Sequence, residues 1–258
     1  MGLYRRRELI WMLMLDDLKR RYAGFMLGWF WVVVKPLLLL GLYTFLFSMV
    51  FQAKSGGVTS PADYPVLVLT GLIPWLLFAE AMTASASAIT AHTNLVTKVV
   101  FPIEVLPVCR VLGVTLSGLL SVALLVIVVW VTHGLGMAIV LFPVFLLLQV
   151  LFTIGLAWAV STISVTIKDL SEAMPFLLTM WMFLSPVVYT QEMLPTPYAW
   201  MLNLNPMTYF LEIYRSVLID NHVPQLTGTL FCVVMSIAIF LGGFFLFYKR
   251  KAMLADQL

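Results

Sequence analysis

Three histidines, His92, His133 and His222, three charges set inside apolar runs, Lys35, Glu80 and Arg110, and the glycine pair Gly113 and Gly118 are the residues whose types and spacing could do chemistry. The histidines do not make a metal or acid–base set. None has the paired helical spacing of a zinc protease, and none lies beside a buried carboxylate. The glycines have the spacing of a phosphate-binding loop, but Leu119 follows where a lysine must reach the phosphates, so the chain is not expected to hydrolyse ATP by that route. Cys109 and Cys232 both fall in apolar runs and read as small buried hydrophobes rather than a bridge or a metal site. No catalytic residue, no metal and no cofactor bound by the chain itself is expected.

The intramembrane charges are functional candidates by default, because an ionised group inside a bilayer is costly unless it is paired or wet. At roughly 1.5 Å per helical residue, Lys35 lies about 10 Å, Glu80 about 13 Å and Arg110 about 6 Å from the basic ends of their runs. These similar depths suggest that Glu80 pairs with Lys35 or Arg110. The plainer alternatives are a structural ion pair or a lysine that snorkels to the interface.

What must position such residues is a membrane fold. Of 258 residues, 62% are hydrophobic and 10% charged, and the mean hydropathy is +1.02, whereas a soluble domain carries about a quarter charged residues. Spans of roughly 20 apolar residues are read at 28–51, 64–89, 106–132, 137–165, 174–190 and 226–248. They lack two-residue alternation, so they are helices and not barrel strands. The fifth span is short and holds Pro175 and Pro186, which predicts a kinked or broken helix. The expectation is an all-α, six-span polytopic protein in one domain: an interface helix over 1–27, spans one to five over 28–190, an outer segment over 191–224, span six over 225–248 and a tail over 249–258.

Lysine and arginine set the orientation. Eleven of the fifteen lie on one side, in the N-terminal flank, at Lys98 and Lys168, and in the tail Lys249, Arg250 and Lys251, while Lys54 and Arg215 lie on the other. Both termini are therefore expected in the cytosol. The net charge of +3 is topological information and not a nucleic-acid signal. The short apolar stretch Leu9 to Leu15 precedes Asp16, Asp17 and a basic cluster, so it does not read as a cleaved signal.

Outside the spans, Trp11, Met14, Leu15, Leu18 and Tyr22 recur at helical spacing ahead of Arg20 and Arg21, which predicts an amphipathic helix lying along the cytosolic interface. His92 to Pro107 forms a cytosolic connector whose apolar-periodic piece, Leu95, Val96 and Val99, is stopped by Pro102. From pattern alone it is a working element or a mere linker. In the outer segment, Asn205 and Pro206 make an N-cap and first-turn proline. The stripe Met207, Phe210, Leu211, Tyr214, Val217 and Leu218 then opposes Thr208, Glu212 and Arg215. This amphipathic helix either lies on the outer interface or dips back as a re-entrant element.

Small residues from Ala81 to Ala88 permit close helix contact low in the second span, and Gly24 and Gly28 mark a bend at the membrane boundary. Aromatics such as Trp29, Phe30 and Trp31 at a span entry fit an interfacial belt. A channel-lining role is the sharper reading, because aromatic faces stack on sugar rings, and Trp181 and Tyr189 join that candidate set.

The order of segments resembles the membrane subunits of type-2 ABC exporters that move lipid-linked polysaccharides, the O-antigen, capsule and teichoic acid permeases. The residues that carry the resemblance are Lys19-Arg20-Arg21-Tyr22-Ala23, Leu27-Gly28 through Lys35-Pro36, and Gly71-Leu72-Ile73-Pro74-Trp75. They continue with Leu95-Val96-Thr97-Lys98, Phe101-Pro102, Glu104 to Pro107, Lys168-Asp169, Ser185-Pro186-Val187-Val188-Tyr189 and Asn205-Pro206-Met207. No single stretch is diagnostic; their order on a six-span frame is.

The resemblance implies a homodimer in a bacterial inner membrane bound to two copies of a separate ABC ATPase, with ATP and magnesium held by that partner and a lipid-linked glycan as substrate. It implies that His92, Asn94, Leu95, Val96, Thr97, Lys98, Phe101 and Pro102 form the coupling helix seated on the ATPase. The helix bearing Trp11, Leu15, Leu18, Arg20 and Arg21 would lie beside it. Spans one and five would face the path between subunits, and 191–224 would be the re-entrant pair near the exit. Two other classes use the same residues differently: an ion- or proton-coupled carrier built on Glu80, Lys35 and Arg110, or a membrane-embedded transferase using His133 or His222.

Overall fold

In a computed structural model, the described residues are 63–93, 102–193 and 199–256, together with Glu8, residues 11–15, Phe30, Trp31, Val34, Leu37, Leu38, Gly41, Leu42 and Phe45. Span one is represented there only by isolated positions. The helices are α1 (Asp63–Ala86), α2 (Val105–His133), α3 (Phe142–Thr166), α4 (Asp169–Phe183), α5 (Ala199–Leu204), α6 (Pro206–Leu218) and α7 (Leu226–Asp256). Among the described residues, the stretches Tyr64–Ala86, Val105–His133, Met137–Thr166 and Leu226–Lys251 are long and apolar enough to cross a membrane. They coincide with the expected spans two, three, four and six. The protein is an all-α polytopic membrane protein.

The fifth expected span is shorter than its apolar run. α4 keeps Pro175 inside the helix but ends at Phe183, and the chain turns through Ser185–Tyr189 without helical structure. The break therefore falls at the second of the two prolines, Pro186, which supplies no backbone donor to extend the ladder. At the other end of α4, Asp169 and Glu172 sit in the first turn, where the helix dipole favours acidic side chains.

Two junctions are set by local chemistry. Gly134 follows α2 with φ +76°, a backbone conformation that disfavours residues with a Cβ, and its N–H bonds Trp130 O at 3.1 Å. Beyond it, Gly136 lies so close to Asn221 that any Cβ would overlap the Asn221 side chain. Asn221 itself has φ +54°, and its Oδ1 accepts from Ala138 N at 3.2 Å, fastening the loop before α7 to the turn before α3.

Packing centres on α1 and α3. A buried aromatic run joins Trp75, Phe78, Phe152 and Phe210, with Phe78 stacked on Phe152 at 6.0 Å. α3 and α7 approach backbone to backbone: a Cβ on Gly243 would stand 2.0 Å from Gly155 O, and one on Gly155 would stand 2.4 Å from Ile239 O. Within this apolar core Gln149 is fully engaged, donating to Pro74 O at 2.8 Å and accepting from the Tyr214 hydroxyl. A buried amide is tolerable only on those terms. The small residues low in span two do pack closely; Ala81, Ser85, Ala86 and Ala88 are buried, and Ser171 Oγ of α4 donates to Ala86 O at 3.1 Å.

Helix α6 begins as expected, with the Asn205 side chain accepting from Met207 N at 3.1 Å and Pro206 in the first turn. The apolar stripe from Met207 to Leu218 is buried against α1, α3 and α7. The opposite face differs from its sequence reading. Thr208 and Arg215 are buried as well and Glu212 is half-buried, because neighbouring elements close over the polar flank. The helix is inserted into the bundle, not laid on its surface.

Candidate functional site: the junction behind the broken helix and the clasp at the opposite end

Ending α4 in the interior leaves its last carbonyls without helical donors. Asn205 meets them. Its Nδ2 donates to Leu184 O at 3.0 Å and to Ser185 Oγ at 2.7 Å, while its Oδ1 accepts from Met207 N and from Trp181 Nε1 at 3.0 Å. One amide therefore caps α6 and terminates α4 together. Beyond the break, Arg215 Nη2 donates to Val187 O at 2.9 Å and the Tyr64 hydroxyl donates to Val188 O at 2.8 Å. Gly71 makes room for this segment, since a Cβ there would lie 2.2 Å from Val187 O. Three stretches far apart in sequence, Gly71 to Trp75, Ser185 to Tyr189 and Asn205 to Met207, thus meet in one polar junction.

Electrostatics mark the same place. Burial lowers the Arg215 pKa to about 10, opposed by Glu212, Tyr64, Tyr189 and Asp220. Burial raises that of Glu212, with Arg215 pulling the other way. The guanidinium is held by a backbone carbonyl, an arrangement that fixes the non-helical chain at Val187.

At the opposite end of the bundle a second constellation closes. Lys251 Nζ of α7 pairs with Glu104 Oε2 at 2.6 Å, and Trp158 Nε1 of α3 donates to Glu104 O at 2.9 Å. Glu104 lies near the end of the connector, immediately before α2. A single residue therefore ties the connector's end to α2, α3 and α7.

The sequence candidates fall as follows. His92 closes a 3-10 turn after α1, with Nδ1 3.0 Å from Ala88 O, and Pro102 O accepts from Val105 N at 3.0 Å. Asn94, Leu95, Val96, Thr97, Lys98 and Phe101 lie outside the described residues, as do Leu18, Arg20, Arg21, Trp29 and Lys35. Residues 11–15 are helical; Met14 is buried, Leu15 half-buried and Trp11 exposed. Glu80 sits on an exposed face of α1 and Arg110 is half-buried on α2. Of the candidate channel aromatics, Phe30 is exposed and Trp31 half-buried. Trp181 packs edge-on against Trp75 and Phe78, and the Tyr189 hydroxyl donates to Phe183 O at 3.2 Å, so both belong to the junction.

Sequence reasoning missed Gln149, Arg215, Glu104 with Lys251, and the glycine pair Gly155 and Gly243. The lone Gln149 inside α3 was the readable signal, since an amide in an apolar span needs partners.

Among the described residues, the fold is a helical polytopic membrane protein whose polar groups hold a broken helix and an end clasp. Residues 8–219 match the ABC-2 type transporter family, and the chain belongs to that family. It is 31% identical to the O-antigen export system permease protein RfbA of Myxococcus xanthus, over 99% of this chain and 97% of that one. Identity to the polysialic acid transport protein KpsM of Escherichia coli is 25%, over 93% and 92%. The capsule polysaccharide export inner-membrane protein CtrC of Neisseria meningitidis is 20% identical, over 92% and 89%.

Proposed function

We propose that the chain is the permease subunit of an ATP-driven exporter that moves a lipid-linked polysaccharide, of the O-antigen or capsule type, across the bacterial inner membrane. The observation that carries this reading is a near full-length match to export permeases on a chain without a phosphate-binding loop. On this reading two copies of the chain form the path and two copies of a separate ATPase bind and hydrolyse ATP with magnesium. Both termini face the cytosol, and span one with the α4 region faces the path.

The clasp supports a route for the work. A push from the ATPase on the connector, at His92, Asn94, Leu95, Val96, Thr97, Lys98, Phe101 and Pro102, arrives at Glu104, which is bonded to Trp158 and Lys251. Spans three, four and six then move as one body. The interface helix, with Trp11, Leu15, Leu18, Arg20 and Arg21, lies beside the same contact. At the other end, the junction around Val187 keeps the broken span five docked to α1 and α6 while the path opens.

The test is co-purification with the ATPase encoded beside this chain, followed by Lys98→Ala and Phe101→Ala. The expected result is a two-plus-two complex in which these variants hydrolyse ATP but export no glycan. Export by the permease alone, or unchanged export in both variants, refutes the reading.

A further inference from the structure

A cavity of about 860 Å³ lies at the end of the bundle remote from Glu104, between the end of α2, the start of α7 and helix α6. Its volume is in the range of small-molecule sites and far above that of an ion or a single water. For a protein that is largely apolar its wall is unusual. Glu212, Asp220, His133, Gln191, Asn203 and Gln225 line it, bringing two carboxylates, three amides and an imidazole to one space. Amides and carboxylates in such numbers match a ligand that offers many hydroxyl donors and acceptors.

Tyr209 also faces this cavity and is held rigidly. Its ring packs on Phe231 at 4.2 Å and its hydroxyl donates to Asn203 O at 2.9 Å. A fixed aromatic ring beside hydrogen-bonding groups accepts the C–H face of a pyranose. Gly228 lines the cavity next to that ring; a Cβ there would meet Tyr209 Cδ1 at 3.8 Å, an ordinary contact, so the absent side chain leaves room for an occupant and not for a neighbouring backbone.

Charge selects among ligands. Two carboxylates share the wall with one guanidinium, and that of Arg215 already donates to Val187 O. The balance disfavours phosphates and acidic sugars.

We propose that this cavity is a carbohydrate-binding subsite that takes a short segment of neutral, hydroxyl-rich glycan. Glu212, Asp220 and the amides bind hydroxyls, and Tyr209 stacks on a ring face. The proposal deepens the export reading and rests on it for its role: at the outer end, such a subsite holds the emerging polymer and opposes its return.

The experiment uses the full chain in lipid nanodiscs and saturation-transfer NMR with mannotriose and maltotriose as neutral probes and 3′-sialyllactose as the acidic one. Neutral trisaccharides are expected to receive saturation above empty nanodiscs, with the acidic probe weaker. The isosteric double variant Glu212→Gln/Asp220→Asn is expected to bind about tenfold more weakly, through loss of hydrogen bonds to charged acceptors. Gly228→Leu, which fills the space beside Tyr209, abolishes the signal. No signal above empty nanodiscs means a water-filled cavity and overturns the proposal. So does an unchanged signal in both variants, or a preference for sialyllactose. Surface polysaccharide in permease-deficient cells separates the two readings: if the unmodified chain restores none beside its ATPase, the export reading fails whatever the NMR shows. If it restores export while neutral probes do not bind, only the subsite fails.

Discussion

Replacing Gly243 by alanine would set a methyl carbon 2.0 Å from the carbonyl oxygen of Gly155 and 2.7 Å from its carbonyl carbon. Both obstacles are backbone of the facing helix, so no rotamer change relieves them. To reach ordinary contact α3 and α7 must separate by roughly 1.4 Å at the crossing, which loosens the Trp158 contacts with Phe240 and Phe244 on either side. Overpacking of this kind costs about 1–3 kcal/mol. Gly155→Ala meets Ile239 O at 2.4 Å and Phe240 Cα at 2.7 Å and belongs in the same class. Two controls lie nearby. Gly242→Ala meets nothing within 4 Å, so the gain in helix propensity makes it neutral or stabilising by up to about 1 kcal/mol. Gly118→Ala meets the tip of Leu77, a flexible side chain, and falls between. Thermal unfolding of the detergent-purified protein, read by tryptophan fluorescence, gives the ranking. Equal midpoints for Gly243→Ala and Gly242→Ala would refute the account of this crossing.

Glu104→Gln and Lys251→Met each break the clasp. Because the pair is partly solvent-exposed, each is expected to cost only about 1 kcal/mol in stability yet to reduce export per ATP hydrolysed; full coupling in both variants removes the clasp from the force route. Arg215→Met leaves Val187 O without its donor at about 1–3 kcal/mol, and hydrogen exchange over Ser185–Tyr189 should accelerate while that of α2 is unchanged; uniform protection across the segment contradicts this. Glu212 has a folded pKa raised above its ordinary value of 4.5 by burial. Between the two values the folded protein retains a proton that the unfolded chain has released, so this residue makes stability fall as pH rises through that window. Glu212→Gln should flatten the profile of unfolding midpoint against pH there, and an unaltered slope would assign it to another group.

Much of the architecture was written in the apolar runs. The positions of spans two, three, four and six follow from where the apolar runs start and stop, and the start of α6 follows from Asn205 and Pro206, because hydrophobic length and cap chemistry are local properties. Pro186 likewise announced the break in span five. The residues that hold the break could not be read in the same way. Asn205 looks like an ordinary cap in sequence, and only its proximity to Leu184, Ser185 and Trp181 makes it the terminator of a second helix.

Arg215 shows the limit most clearly. Helical periodicity placed it on a polar face opposite an apolar stripe, and periodicity knows only the helix it describes. Which faces are covered depends on the neighbours: α6 is surrounded by α1, α3 and α7, and its arginine is aimed at a carbonyl 28 residues earlier in the chain. The same holds for Gly155 with Gly243, and for Glu104 with Lys251, 147 residues apart. Sequence alone determined the solvent of this protein and the course of most of its helices. Tertiary structure alone decided which polar groups meet, since that pairing arises from close packing between segments whose separation along the chain carries no record of it.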